Sequence, residues 1–377
     1  MLDRTTSVTN ETPGEGVIAH LVACGYGRVD PPLLQPAATF LDQSGEDIRG
    51  RLYLVSDPTG GEWCLRPEWT IPVCRLHLST GAAGREAAYS TLGPVFRHRP
   101  DGPAAMTQVG LESFGRADRE AADADLLACA LEAAERAGAG DLHVRMGDAG
   151  LFHALLDALA LPPSWARRVA QAVAQGRPLD SAWTMAEGAT IDHAGVLAAL
   201  EGADRDGARA LVEDLLSIAN ISAVGGRTAA EIAERFLEQA ALRGGPGVPE
   251  EARALLTRFL GVEGDPDTAS ADLRAIAAEA GLDLGAALDA FDLRLNFLLA
   301  RGVDPARTRF SAGFARRLDY YTGFVFEAYD PGRPDRALIG GGRYDRLLRS
   351  LGAAADVPAV GAAIFADRLA GAAGDDA

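Results

Sequence analysis

Three separated segments carry polar side chains at positions where strand-like apolar alternation gives them no packing reason to be. They are GPVFRHRPDGPAAMTQVGLESFG at 93–115, RRLDYYTGFVFE at 316–327 and GGRYD at 341–345. Gln108 and Glu112 have even spacing, so a strand presents both on one face. Arg97 follows Phe96, and alternation sends the two to opposite faces. Arg316, Tyr320, Tyr321 and Tyr344 come from later in the chain; adjacent tyrosines in a strand point apart, so only one of Tyr320 and Tyr321 can face a given pocket. Glu68 follows Arg66-Pro67 where a strand gives way to a helix. Together such groups suit a small zwitterion: a carboxylate or amide for its ammonium, an arginine for its carboxylate, and a polar wall for a polar side chain. Each also has a plainer reading. Glu68 serves equally as a helix N-terminal cap, Arg97 as a surface arginine, and Gln108 with Glu112 as a solvated strand face.

The elements that must hold these groups follow from periodicity. Val17, Ile18, Leu21 and Val22 have helical spacing, and GYG at 25–27 ends that helix before a Pro-rich stretch. RLYLVS (51–56) and EWCLR (62–66) read as a hairpin around DPTGG, and a helix starts near Thr70 to Pro72. YSTLGPVF and MTQVGLESF form an antiparallel pair around Asp101-Gly102-Pro103, followed by an Ala/Leu/Glu helix that Gly138 ends and a strand at 142–148. From 149 to 301 the pattern is consecutive helices: 149–160, 164–175, 206–218, 228–242, 249–260, 270–280 and 284–300. TRFSAG, TGFVFEAY and VPAVGAAIF then return to strand character. The fold class is α+β, with strand-rich parts at 16–148 and 302–372 sharing one sheet around a helical insertion at 149–301.

Composition excludes several classes. The 377 residues contain 36 basic and 53 acidic side chains for a net charge of −17, and every basic residue is arginine. Without lysine there is neither a Walker-type phosphate lysine nor a Schiff-base nucleophile. The acidic balance argues against broad binding to nucleic acid. Gly340 to Gly342 lack the spacing of a phosphate loop. Cys24, Cys64, Cys74 and Cys129 show no CxxC pairing and the six histidines no HxxxH or HxH, so buried free thiols and no metal site are expected. No apolar run approaches a membrane span, and the polar N-terminus lacks a signal-peptide layout, which predicts a cytoplasmic protein.

GPVFRHRP resembles the second signature motif of class II aminoacyl-tRNA synthetases, and RRLDYYTGFVFE with GGRYD is similar to the histidine-specific peptides of histidyl-tRNA synthetase. LRPEWT resembles that family's LRPE segment, AVGAAIFADRL its third motif, and VDPPLLQP its first. The resemblance, over about 16–370, implies an antiparallel six- or seven-stranded sheet flanked by helices, a homodimer formed around the first motif, and histidine as ligand. Carried over by position, it makes Glu68, Arg97, Gln108, Glu112, Arg316, Tyr320, Tyr321 and Tyr344 the histidine-binding set. Gln108 and Glu112 would take the ammonium, Tyr321 and Tyr344 flank the imidazole, and Arg316 face the carboxylate.

Departures from that pattern carry their own implication. FRHRP lacks the glutamate of FRxERP, the loop to Gln108 holds no arginine, and Phe365 replaces the glycine against which adenine stacks. Arg317 replaces the glycine of RGLDYY, and no anticodon-binding domain is expected after Arg368. A histidine pocket kept beside a lost adenylation site resembles the regulatory subunits of ATP phosphoribosyltransferase. That resemblance implies no catalytic residue, cofactor or metal in this chain, a short-form catalytic subunit as partner in a hetero-oligomer, and histidine as feedback effector. A divergent histidyl-tRNA synthetase, a synthetase-like amino-acid-activating enzyme and a scaffold with a vestigial pocket are the alternatives.

Overall fold

The computed structural model describes residues 13–43, 49–100, 102–183, 247–316 and 320–372, with short pieces between 210 and 242. The helices expected at 206–218 and 228–242 fall almost wholly outside the described residues, as do Asp101, Arg317 and Asp319.

In chain order, α1 (Pro13–Ala23), β1 (Gly27–Arg28), β2 (Leu34–Pro36) and α2 (Ala37–Gln43) precede the hairpin β3 (Leu54–Ser56) and β4 (Glu62–Leu65). Then come α3 (Thr70–Ser79), β5 (Ala87–Phe96), β6 (Ala105–Phe114), α4 (Arg119–Arg136) and β7 (His143–Asp148). Helices α5 (Ala149–Ala158), α6 (Pro163–Ala174) and α7 (Asp180–Trp183) lead to the short pair β8 (Ala223–Val224) and β9 (Arg227–Thr228). After α8 (Glu250–Leu260), β10 (Glu263–Gly264), α9 (Pro266–Glu279) and α10 (Gly285–Ala300), the chain returns to strands. These are β11 (Thr308–Ser311), β12 (Phe324–Tyr329), β13 (Ala337–Arg343) and β14 (Ala359–Phe365), with α11 (Leu347–Ser350) between the last two and α12 (Ala366–Ala372) at the end.

The sheet is larger and more mixed than expected. It has nine strands in the order β1-β5-β6-β14-β13-β12-β7-β11-β10. The strands from β5 to β7 are antiparallel throughout. At the edges β1 lies parallel to β5 and β11 parallel to β7, because short segments from before and after the helices add themselves to an already complete antiparallel centre. A separate three-stranded sheet, β2-β4-β3, contains the expected hairpin.

Two compact units divide the described chain. One takes the chain up to Leu155, Ala174–Gly176 and everything from Arg258 onward; the other takes Leu156–Val173 and Arg177–Thr257. The second is narrower than the 149–301 segment read as an insertion, since α9 and α10 belong with the nine-stranded sheet. Packing explains the difference: α10 lies along α4, and Phe291 meets Phe310 of β11 edge-on with ring centroids 4.8 Å apart. Helical periodicity marks which residues a helix buries but not the body it buries them against. Inside the second unit, Trp165, Leu242 and Val248 form a small core, and Arg253 lies over the Trp183 ring. Among the described residues no helix is long and apolar enough to cross a membrane.

Arg294 of α10 donates to Asp123 of α4 at 2.8 Å and to Asp148 at the end of β7 at 2.6 Å. Arg343 of β13 donates to the same Asp123 at 2.9 Å and to Asp345 at 2.8 Å. Arg294, Asp123, Arg343 and Asp148 are all buried, so removal of Asp123 takes one of two carboxylate partners from each arginine in a medium that solvates a guanidinium poorly. Asp123→Ala should therefore lower unfolding stability by about 3–5 kcal/mol in denaturant titration; a loss typical of a surface ion pair would contradict this account.

Candidate functional site

The polar segments converge on one face of the central strands. On β6, alternation turns Gln108, Gly110 and Glu112 to the same side. Their partners on β14 are Phe365, Ala363 and Gly361, and β13 continues the rows with Gly340 opposite Ala363 and Gly342 opposite Gly361. Small residues thus floor the site and leave room for long side chains to lie across it. A Cβ at Gly340 would fall 1.7 Å from the Arg316 guanidinium, one at Gly342 would meet the Tyr321 ring at 2.9 Å, and one at Gly361 would fall 1.6 Å from the Glu112 carboxylate. The glycine run, whose spacing is not that of a phosphate loop, is strand backbone kept bare for these contacts.

The resulting cavity has a volume of about 500 Å³. Of the eight residues expected, Glu68, Arg97, Gln108, Glu112, Arg316, Tyr320 and Tyr321 line it. Both tyrosines face it, contrary to the alternation argument, because they precede β12 in a turn rather than lie within a strand. Tyr344 does not line it. Buried beneath the floor, it donates a short hydrogen bond to Oε2 of Glu112 and meets the Tyr320 ring edge-on.

Glu68 performs both of its possible roles. Its carboxylate accepts from the backbone N–H groups of Thr70 at 2.6 Å and Ile71 at 2.9 Å, capping α3 while lining the cavity. Burial raises its pKa, opposed by those amides and by Arg97. The Thr70 hydroxyl donates to Oε1 of Glu112 at 2.7 Å, so one residue at the start of α3 serves both carboxylates. Burial also pushes the Glu112 pKa up to about 8, against the Tyr344 and Thr70 hydrogen bonds and with help from the negative charge of Glu68. The pair is a pre-formed site for a cation in a medium that penalises a lone carboxylate.

The opposite wall is cationic. Arg97 donates through Nε to the Pro67 carbonyl at 2.8 Å, and burial lowers its pKa. Arg316 donates to the Phe326 carbonyl at 3.2 Å and to Glu327 at 3.0 Å, while its buried Nε has no partner among the described residues. Glu327 also accepts from Arg145 at 3.1 Å, its partner across the β7–β12 register. Both side-chain amide atoms of Gln108 are buried without a partner among the described residues, which disfavours this face unless a polar molecule meets it.

An aromatic ring takes up one side of the cavity. Phe365 lines it, and the Arg368 guanidinium lies 4.0 Å from the centre of that ring. Arg368 also donates to the Ala337 carbonyl, and burial with nearby Arg99 and Arg336 brings its pKa down to about 10. The arginine of the third motif is thus engaged within the protein.

Sequence reasoning missed Thr70, Trp69, Arg51, Arg145 and Glu327 as lining residues. Thr70 ends the LRPEWT segment already singled out, and Arg145 with Glu327 becomes visible only once β7 and β12 are paired. Cys64, Cys74 and Cys129 are buried as expected, but Cys24 is exposed because it lies just beyond the end of α1.

A family model described as histidyl-tRNA synthetase matches residues 9–234 and 207–369. A protein of Brucella canis named ATP phosphoribosyltransferase regulatory subunit is 41% identical over 353 residues, covering 92% of this chain and 93% of its own length. One of the same name from Brucella ovis is 40% identical over the same shares. A Bacillus halodurans structure described as an ATP phosphoribosyltransferase regulatory subunit/histidyl-tRNA synthetase superposes with a TM-score of 0.67 at 20% identity, covering 99% of this chain and 81% of that one. Histidyl-tRNA synthetase from Nostoc gives 0.62 at 16%, with 98% and 75% covered. The fold is therefore that of the histidyl type of class II aminoacyl-tRNA synthetase. Within it, the chain belongs to the family of ATP phosphoribosyltransferase regulatory subunits.

The raised pKa of Glu112 has a sign that stability measurements can read. Between its ordinary value near 4.3 and about 8 the folded chain keeps a proton that the unfolded chain releases, so this group's contribution falls as pH rises through that window. Glu112→Gln removes the titration. Its stability relative to the native chain should rise from pH 5 to pH 8 by an amount on the order of a few kcal/mol, measured by denaturant unfolding, and a difference independent of pH would show that Glu112 ionises normally.

Proposed function

We propose that this chain is the non-catalytic histidine sensor of a cytoplasmic ATP phosphoribosyltransferase, assembled with a short-form catalytic subunit that depends on it. The observation that carries the reading is the pairing of buried Glu112 and Gln108, whose amide has no partner among the described residues, with arginines across one cavity. Free histidine matches each element. Its ammonium takes Glu112 and Gln108, its carboxylate faces Arg316, and its imidazole lies against Tyr321. Tyr344 then holds Glu112 in place instead of touching ligand.

The side of the cavity taken up by Phe365 and Arg368 supports sensing over adenylation. A phosphoribosyl transfer needs a pyrophosphate-binding loop, so chemistry falls to the partner. The division into synthetase-like parts at 16–148 and 302–372 with helices between them fits this role, and the proposed homodimer has a matching surface. Leu33, Leu34, Leu54 and Val55 are exposed on or beside the three-stranded sheet that contains the first motif. Histidine and the partner's substrates act on one assembly, so each must shift the other's affinity by the same factor.

Histidine at about 100-fold over its dissociation constant should stabilise the isolated chain by ~2.7 kcal/mol, read as a raised melting temperature. Because Glu112 is mostly protonated near neutral pH, capture of the ammonium should release a proton, detected by calorimetry in buffers of different ionisation enthalpy. Gly340→Ala, which displaces the Arg316 guanidinium, should abolish both signals in a folded chain. With the catalytic subunit present, histidine should suppress phosphoribosyl transfer, and Glu112→Ala should remove that suppression. Histidine-dependent exchange of pyrophosphate into ATP would instead establish a synthetase.

A further inference from the structure

Helices α1 and α4 pack together, and their contact gathers four metal-binding side chains away from the cavity. HLVAC places His20 and Cys24 four residues apart at the end of α1, and CALE places Cys129 and Glu132 three apart on α4. Both spacings bring a pair onto one side of its helix. The donor atoms of His20, Cys24 and Cys129 lie within 4.8 Å of one another. Nε2 of His20 is 3.5 Å from Cys24 Sγ and 3.4 Å from a carboxylate oxygen of Glu132.

These separations can be compared with a known coordination geometry. Bond lengths of about 2.3 Å to sulfur and about 2.0–2.1 Å to nitrogen put the N···S edge of a zinc tetrahedron near ~3.5 Å. His20 and Cys24 already stand at that separation, and Glu132 stands close to the corresponding N···O edge. The other Glu132 oxygen lies 4.0 Å from Arg301, which pairs with Asp125 at 3.2 Å. A guanidinium there restrains the carboxylate and balances the negative charge of two thiolates and a carboxylate around a divalent ion. Cys129 is buried while Cys24 is exposed, so the cluster has an inner anchor and a route from solvent.

We propose that His20, Cys24, Cys129 and Glu132 form a tetrahedral site for a zinc-class divalent cation, fastening α1 to α4. Four protein donors leave no open position, so the role is structural. Both cysteines bind as thiolates, so metal capture releases protons.

Cobalt(II) added to the reduced full-length chain is the probe. One ion per chain with a thiolate-to-cobalt charge-transfer band is expected, and zinc should displace it and raise the melting temperature. Cys24→Ser, at an exposed position unable to disturb the core, should remove the band, as should His20→Ala. Cys64→Ser and Cys74→Ser should leave it intact. The proposal is overturned by a reduced chain that takes up no cobalt at about 100-fold excess, or by uptake that survives the double change Cys24→Ser with Cys129→Ser. It is equally overturned if the chain isolated from cells carries a Cys24–Cys129 disulfide in place of metal, shown by peptide mass mapping without reduction.

Discussion

Two buried arginines share one buried carboxylate. Asp123 accepts from Arg294 and Arg343, and through them it ties α4 to α10, to the end of β7 and to β13. Such a cluster contributes little net stability compared with apolar packing of the same volume, but it tolerates few arrangements, because any displacement leaves a charge unpaired. Its geometry therefore fixes the strand that carries Arg343. Tyr344 follows directly, and its hydroxyl sets the position of Glu112. The face that lines the cavity inherits its precision from this ion cluster.

The face itself is unfavourable for folding. Gln108 is buried without partners, Glu112 is buried far from its preferred charge state, and Arg316 keeps an unmet nitrogen. A floor of glycine and alanine gives up packing that larger side chains would supply. Stability is given up on this face, which fits its proposed role as a site preformed for a polar molecule. Phe365 and Arg368 show the opposite choice a few residues away, where an aromatic ring and a cation satisfy each other.

Much of this was legible because strand periodicity is strict. Even spacing placed Gln108 and Glu112 on one side, and the register of β6 with β14 and β13 then made the glycines their neighbours. The failures share a cause: local pattern is silent about tertiary partners. Tyr320 and Tyr321 were judged as strand residues, but a turn releases them from alternation. Tyr344 sits in the right peptide at the wrong depth. Helices α9 and α10 have the same local character as α8, and only Arg294 and Phe291 reveal the sheet they cover. The His20, Cys24 and Cys129 cluster escaped a search for paired ligands within one segment, since each helix supplies half of it.

Thr70 and Tyr344 both donate to Glu112, one to each carboxylate oxygen, an arrangement that suits an ionised acceptor. When Glu112 holds a proton on Oε1, that oxygen becomes a donor, and the Thr70 hydroxyl beside it can turn to accept. Occupancy by a cation and occupancy by a proton are thus distinguished by the direction of a hydroxyl rotor at the first turn of α3. The charge on one buried oxygen is converted into the orientation of a dipole on a helix whose other residues reach into the core beside α11.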